Sequence, residues 1–248
     1  MSNNTSVQKA VPTNMTGNLY LIPVTLGEQD PLQVIPAYNI AVINQLTHFV
    51  CEEGKSARRF LKSINLVKPL QELFFYELNE HSNPADSADL LKPLFNGKDM
   101  GLMSDAGCPG IADPGAELVK LAHKNGIKVI PLVGPSSILL ALMASGFNGQ
   151  NFAFNGYLPK EKSMRTKKLK ELEKLAYSNN QTQLFIETPY RNIQLFEELI
   201  STLNPSTMLQ LACNISLPDE YIKSLPLAQW KRMKPDIHKK PCIFAVYK

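Results

Sequence analysis

Short, β-rich apolar runs alternate with helix-patterned segments through the first half of the chain. The runs are LYLIPV (19–24), HFVCE (48–52), LFFYEL (73–78), MGLMSD (100–105) and IKVIPLV (127–133). Between them AYNIAVINQL, KSARRFLKSI, ADSADLLKPLF and AELVKLAHKNG carry apolar residues at three- and four-residue spacing, and Gly126 stands where a helix-ending glycine belongs. This rhythm predicts strands joined by crossover helices, an α/β layered fold. A second set follows: strand TQLFIET (182–188), helix RNIQLFEELISTL (191–203), and strands MLQLACNIS (208–216) and CIFAVYK (242–248). The expected organisation is a polar tail over 1–17, an α/β domain over 18–133 and a second over 134–248, joined at PLVGPS.

The segment GLMSDAGCPGIADPG (101–115) then becomes informative. It starts where a strand ends and runs into a helix, the place where open α/β sheets bind ligands. Its glycines let backbone approach a ligand and accept positive φ, and its prolines stiffen the turn. A plain connection takes about 2–6 residues, so the stretch reads as a rigid cradle for a small molecule. No GxGxxG follows the first strand and no GxxxxGK[ST] or GxSxG occurs, which removes support for dinucleotide, P-loop and serine-hydrolase chemistry.

Charge is unevenly spread. In KEKSMRTKKLKELEK, Lys160, Lys162, Arg165, Lys167, Lys168, Lys170 and Lys174 outweigh Glu161, Glu171 and Glu173, a surplus equal to the net +4 of all 248 residues. Such a run is either a solvated helix face or a phosphate-binding footprint. The four cysteines, Cys51, Cys108, Cys213 and Cys242, lack CxxC or Cys/His spacing. That argues against a disulfide framework or a metal site and for a reducing compartment. The start has no leader pattern and no apolar stretch reaches about 18 residues, so the expectation is a cytoplasmic protein without a membrane span.

Four ordered blocks, DAGCPGIADPG, IKVIPLVGPSS with ALMASGF, FNGYLPKEKSMR, and ETPYR (187–191), resemble the tetrapyrrole methylase superfamily, in its ribosomal RNA small subunit methyltransferase I branch. The resemblance spans about residues 18–248 and is strongest from Asp105 to Arg191. It implies a two-domain α/β fold with S-adenosylmethionine in the cleft between the domains, and commonly a homodimer. Carried over residue by residue, it implies cofactor contacts at Asp105, Ala106, Gly107, Cys108 and Pro109, at Ser136 and Ser137, at Glu187 and Ala212, at Leu26 and Gly27, and at Cys242. The basic segment matches the branch in place and character, so Lys160, Lys162, Arg165, Lys167, Lys168 and Lys170 are expected to touch RNA.

The N-terminal blocks depart from the family's forms. PVTLGEQ (23–29) keeps the glycine of an ATPIGNL loop but not its asparagine, CEEGKSARR (51–59) stands for AEDTR, and ELNEHSN (77–83) for an HEHN-like turn. Methyl transfer to a ribose hydroxyl needs its proton removed, and Glu52, Glu53, Glu80 and His81 are the candidate bases or orienters. The expected activity is ribose 2′-O-methylation of small-subunit ribosomal RNA. A methylase acting on a tetrapyrrole, corrinoid or other small molecule, and a cofactor-binding protein without turnover, stand as alternatives.

Overall fold

In the computed structural model, which describes residues 16–78 and 89–248, the first unit is built from β1 (Leu19–Ile22), α1 (Ala37–Ile43), β2 (His48–Cys51), α2 (Gly54–Ser63), β3 (Phe74–Glu77), α3 (Lys92–Phe95), β4 (Met100–Met103), α4 (Gly115–Lys124) and β5 (Val129–Pro131). Its sheet has the order β3-β2-β4-β1-β5. Every pairing is parallel, with Met103 opposite both Ile22 and Cys51. All four residues of β4 are buried, which is why its sequence is a continuous apolar run and not an alternating one. Leu19, Val50, Met100 and Leu102 pack with Leu118 and Ala122 of α4 in one core. Helix α4 ends as its sequence predicts: Gly126 takes φ +67° and the Ile127 N–H reaches back to the Ala122 carbonyl at 3.0 Å.

The second unit comprises Val24–Ile35 and Gly134–Lys248. Compactness thus groups Leu26 and Gly27 with the later part of the chain, whereas sequence order places them in the earlier one. Its elements are α5 (Ser137–Ser145), β6 (Phe152–Tyr157), α6 (Lys162–Ser178), β7 (Thr182–Ile186), α7 (Asn192–Thr202), β8 (Met208–Cys213), β9 (Tyr221–Pro226), α8 (Leu227–Trp230) and β10 (Cys242–Tyr247). The sheet order is β6-β7-β10-β8-β9, parallel only between β6 and β7. Both faces are buried. Phe185, Leu209, Leu211, Phe244 and Val246 meet Trp230 and the helices α6 and α7 on one side, and Leu184, Ala212, Ile243 and Ala245 meet Ala141 and Leu142 of α5 on the other. The period-two alternation of strand side chains sorts neighbours in CIFAVY to opposite cores. The Trp230 indole donates to the Leu209 carbonyl at 2.9 Å.

Strands β6 and β9 are absent from the sequence expectation. Each lies at an edge of its sheet, β6 carries a register shift between Phe154 and Tyr157, and every β9 residue is half-buried. Neither therefore shows a continuous apolar run. The cysteine expectation is corrected as well: Cys213 and Cys242 are disulfide-bonded, with Cα atoms 4.1 Å apart at directly opposed positions of β8 and β10. They lie 29 residues apart in the chain, and only the antiparallel register brings them together. Cysteine usage accordingly loses its force as an argument for a reducing compartment. Among the described residues no helix is long and apolar enough to cross a membrane.

Arg165 also departs from expectation. It is 3 % exposed, and its Nε and Nη2 bond the Glu198 carboxylate of α7 at 2.8 and 2.7 Å. Its Nη1 bonds the carbonyls of Pro159 and Lys160 at 3.2 and 2.8 Å. A guanidinium held inside the unit by four acceptor contacts presents nothing to an RNA phosphate. It joins α6 to α7, with the Thr166 hydroxyl donating to the other Glu198 oxygen at 2.8 Å. Removing one partner of such a buried pair strands the other charge, at a cost of about 3–5 kcal/mol. Glu198→Ala should lose stability in that range by urea denaturation; a loss under about 1 kcal/mol would mean that the pair behaves as a surface ion pair.

Candidate functional site

Strand β4 delivers the loop 104–114 to the carboxyl edge of the parallel sheet. The Ser104 hydroxyl donates to the Ala106 carbonyl at 3.3 Å. Gly107 is buried and holds φ +71°, a conformation that costs a β-branched residue dearly. Asp113 accounts for the loop's closure: one carboxylate oxygen accepts the N–H of Gly110 at 2.6 Å and that of Gly115, the first residue of α4, at 2.8 Å. A single acid thus folds the turn and starts the helix. Sequence reasoning passed over Asp113 as a site residue, although an aspartate two places before a helix start is a capping signal.

The ends of the neighbouring strands bring further acids to this edge. Glu53 precedes α2, its carboxylate accepts from the Ser56 hydroxyl at 2.7 Å, and its backbone N–H donates to Asp105. At the end of β3, Glu77 accepts the Gly54 N–H at 3.2 Å. Partial desolvation raises the Asp105 carboxyl above the ordinary aspartate range, and the charges of Glu53 and Asp113 add to this. The Cys51 thiol is pushed up to about 12, first by burial and then by Glu77, so it is inert as a nucleophile. Glu52 is half-buried beside Glu53. Of the other two candidate bases, Glu80 and His81 lie outside the described residues.

In the second unit, Leu26 packs on the Ala141, Ala212 and Ile243 core. Gly27 faces Leu217, whose Cδ1 would lie 2.8 Å from an added Cβ. Ser136 and Ser137 form the start of α5, where the Ser136 carbonyl accepts from the Leu140 N–H at 2.9 Å. Glu187, just past β7, is buried and occupied: its Oε1 accepts from the Thr188 N–H at 2.6 Å and from Arg191 Nη2 at 2.6 Å. Within ETPYR, Glu187 and Arg191 therefore close the turn that opens α7. Ala212 is wholly buried in β8, and the Cys242 sulfur is tied to Cys213. The first unit thus brings Glu53, Asp105 and Gly107 together. Among the described residues no group of His, Cys, Asp or Glu is arranged to hold a metal ion.

Relatives with this architecture are numerous. Over 226 residues the chain is 30% identical to the ribosomal RNA small subunit methyltransferase I of Pasteurella multocida, covering 90% of this chain and 76% of that protein. It is 30% identical to the protein of that name from Buchnera aphidicola, with 92% and 76% covered, and 29% identical to that of Vibrio cholerae, with 92% and 74% covered. The chain belongs to the ribosomal RNA small subunit methyltransferase I family. The chain spans about three quarters of the length of these relatives. No family model matches it. Among solved structures, the methyltransferase CobJ superposes with TM-score 0.63 at 16% identity, covering 94% of this chain and 95% of that one. A cobalt precorrin-4 methyltransferase superposes at 0.61 and 15%, with 96% and 98% covered. These likenesses establish the two-domain tetrapyrrole methylase fold.

As a member of this family the protein is an S-adenosylmethionine-dependent methyltransferase. The residues present suit that cofactor. Its sulfonium is cationic, and Glu53, Glu77 and Asp105 bring carboxylates to this edge, where partial desolvation first and the charge of Glu53 next raise the Asp105 carboxyl. Its amino-acid tail takes hydrogen bonds from backbone, and the loop around Gly107 offers backbone with little side-chain bulk. Gly107→Val puts a β-branched residue at positive φ in this loop, a strain of about 1–3 kcal/mol. The variant should melt earlier and lose S-adenosylmethionine affinity by tenfold or more in calorimetric titration. Unchanged affinity in a folded variant would remove the loop from the cofactor site.

Proposed function

We propose that this methyltransferase modifies a ribose 2′-hydroxyl of small-subunit ribosomal RNA. The observation that carries the reading is the lysine stripe of α6, taken with the family to which the chain belongs. Lys167, Lys170 and Lys174 recur at i, i+3 and i+7, are exposed, and stand opposite the buried Arg165, Leu169, Leu172 and Ala176. Lys160 and Lys162 extend the exposed charge towards the helix start. Lys168 is half-buried and bound to Glu171 at 2.8 Å, so it is the weaker contact of the run. Tetrapyrrole acceptors carry their carboxylates around one compact ring and have no need of a long exposed cationic face.

In this reading Gly107, Cys108 and Pro109 hold the cofactor through backbone, with Asp105 and Ala106 preceding them. On the second unit, the proposed cofactor residues are Ser136, Ser137, Leu26, Gly27, Glu187, Ala212 and Cys242. When bound, S-adenosylmethionine supplies an electrophilic methyl group on sulfur. Transfer to oxygen is an in-line displacement, so the chain's task is mainly alignment of the acceptor. Glu53 is the proposed base: it is exposed at the carboxyl edge, and its backbone bond to Asp105 fixes it beside the cofactor loop. Glu52, its half-buried neighbour, is the proposed orienter. The reading includes a cytoplasmic homodimer, for which Leu139 and Met143, exposed on α5, offer apolar surface.

RNA and small acceptors are separated by salt. Each phosphate contact releases counterions, and the logarithm of affinity falls with that of salt by about 0.7–0.9 per contact. Changing Lys167, Lys170 and Lys174 together to glutamine should flatten that slope by about two units for a small-subunit RNA fragment. S-adenosylmethionine affinity should be unaltered. Identical slopes for wild type and variant would exclude α6 as an RNA contact and favour a small-molecule acceptor.

A further inference from the structure

Helix α2 carries Lys55, Arg58, Arg59 and Lys62 and no acid between Gly54 and Ser63. Their spacing of i, i+3, i+4 and i+7 puts all four on one face, opposite the buried Ala57, Phe60 and Leu61. All four are exposed and, with Ser63, line one surface groove. Like charges at these spacings repel along a helix, so the arrangement weakens α2 unless something outside it gains. The Arg58 guanidinium lies over the Phe75 ring, 4.5 Å from its centroid, which anchors the middle of the stripe. Arg59 is close enough to Asp105 to act on its ionisation. The stripe therefore begins two residues after Glu53, at the acid-lined edge where the proposed cofactor loop sits.

We propose that the basic groove of α2 is a track for the phosphates flanking the acceptor nucleotide, a second RNA contact in addition to α6. The inference rests on RNA being the acceptor. From Lys55 to Lys62 the helix advances roughly 10 Å, a span that about two successive backbone phosphates of one strand can match. A strand held there delivers its next ribose to the edge formed by Glu53 and Asp105. The same charges have little to offer the cofactor, whose sulfonium they repel and which the acidic edge suits better. The α2 contact thus positions substrate: it sets where along the RNA the edge can act.

The test uses the full chain and a fluorescein-labelled oligouridylate, with binding followed by anisotropy over a range of salt concentrations. The variant changes Lys55, Arg59 and Lys62 to glutamine and spares Arg58, whose ring contact supports the fold. A control changes Lys120, Lys124 and Lys128, exposed on and beside α4, and alters net charge equally. The α2 variant should lose about two units of salt slope, with the control close to wild type. Thermal melting should be alike in all three. If the α2 variant keeps the slope of the control while wild type binds RNA with a salt-dependent affinity, this inference fails and the RNA reading stands. If wild type shows no salt-dependent binding, the RNA reading fails and this inference with it.

Discussion

Parallel pairing around β4 is the constraint on which the first unit depends. Parallel strands all point their carboxyl ends the same way, so β2, β3 and β4 release their chains at one edge. That is how Glu53, Glu77 and Asp105, which are distant in sequence, come to share a small region, with the Cys51 thiol responding to all three carboxylates and Asp105 to Glu53. An antiparallel arrangement of the same runs would have split them between two edges. The Asp113 carboxylate then sets the loop: without acceptors for the Gly110 and Gly115 N–H groups, the turn holding Gly107 would have to close on water.

The first unit was more legible than the second because of burial. A parallel strand covered on both faces must be apolar throughout, and MGLM, HFVC and LYLI announce themselves. The edge strands β6 and β9 mix polar and apolar residues at half burial and leave no such trace. Pairings that cross from one element to another were also hidden. Nothing in a single sequence shows that Cys213 opposes Cys242, or that Arg165 of α6 finds Glu198 of α7. A signal for Arg165 did exist: it falls in phase with Leu169, Leu172 and Ala176, on the stripe that α6 buries. Reading the segment by charge alone, without its phase, assigned Arg165 to solvent. The loop 104–114 was legible because it stands out by composition: glycines and small residues are what close backbone approach requires.

Two charge distributions act in opposite senses. The loop edge gathers the carboxylates of Glu53, Glu77 and Asp105, and α2 and α6 each present cations on their outer faces. Under the proposed function, charge sorts the two ligands, the sulfonium to the acidic edge and the polyanionic acceptor to the basic helices. The departures in CEEGKSARR acquire a meaning in this arrangement, since they place Lys55 in a run that continues through Arg58 and Arg59.

The most direct measurement of the account is methyl transfer itself. The protein would be incubated with S-adenosylmethionine labelled at its methyl group, in separate reactions with small ribosomal subunits, free small-subunit RNA and tetrapyrroles, and labelled RNA would be hydrolysed in alkali. The account predicts label in the RNA, recovered in an alkali-resistant dinucleotide because a methylated 2′-oxygen cannot attack the adjacent phosphate. Label in a tetrapyrrole, or in RNA on a base with the ribose unmodified, would contradict it.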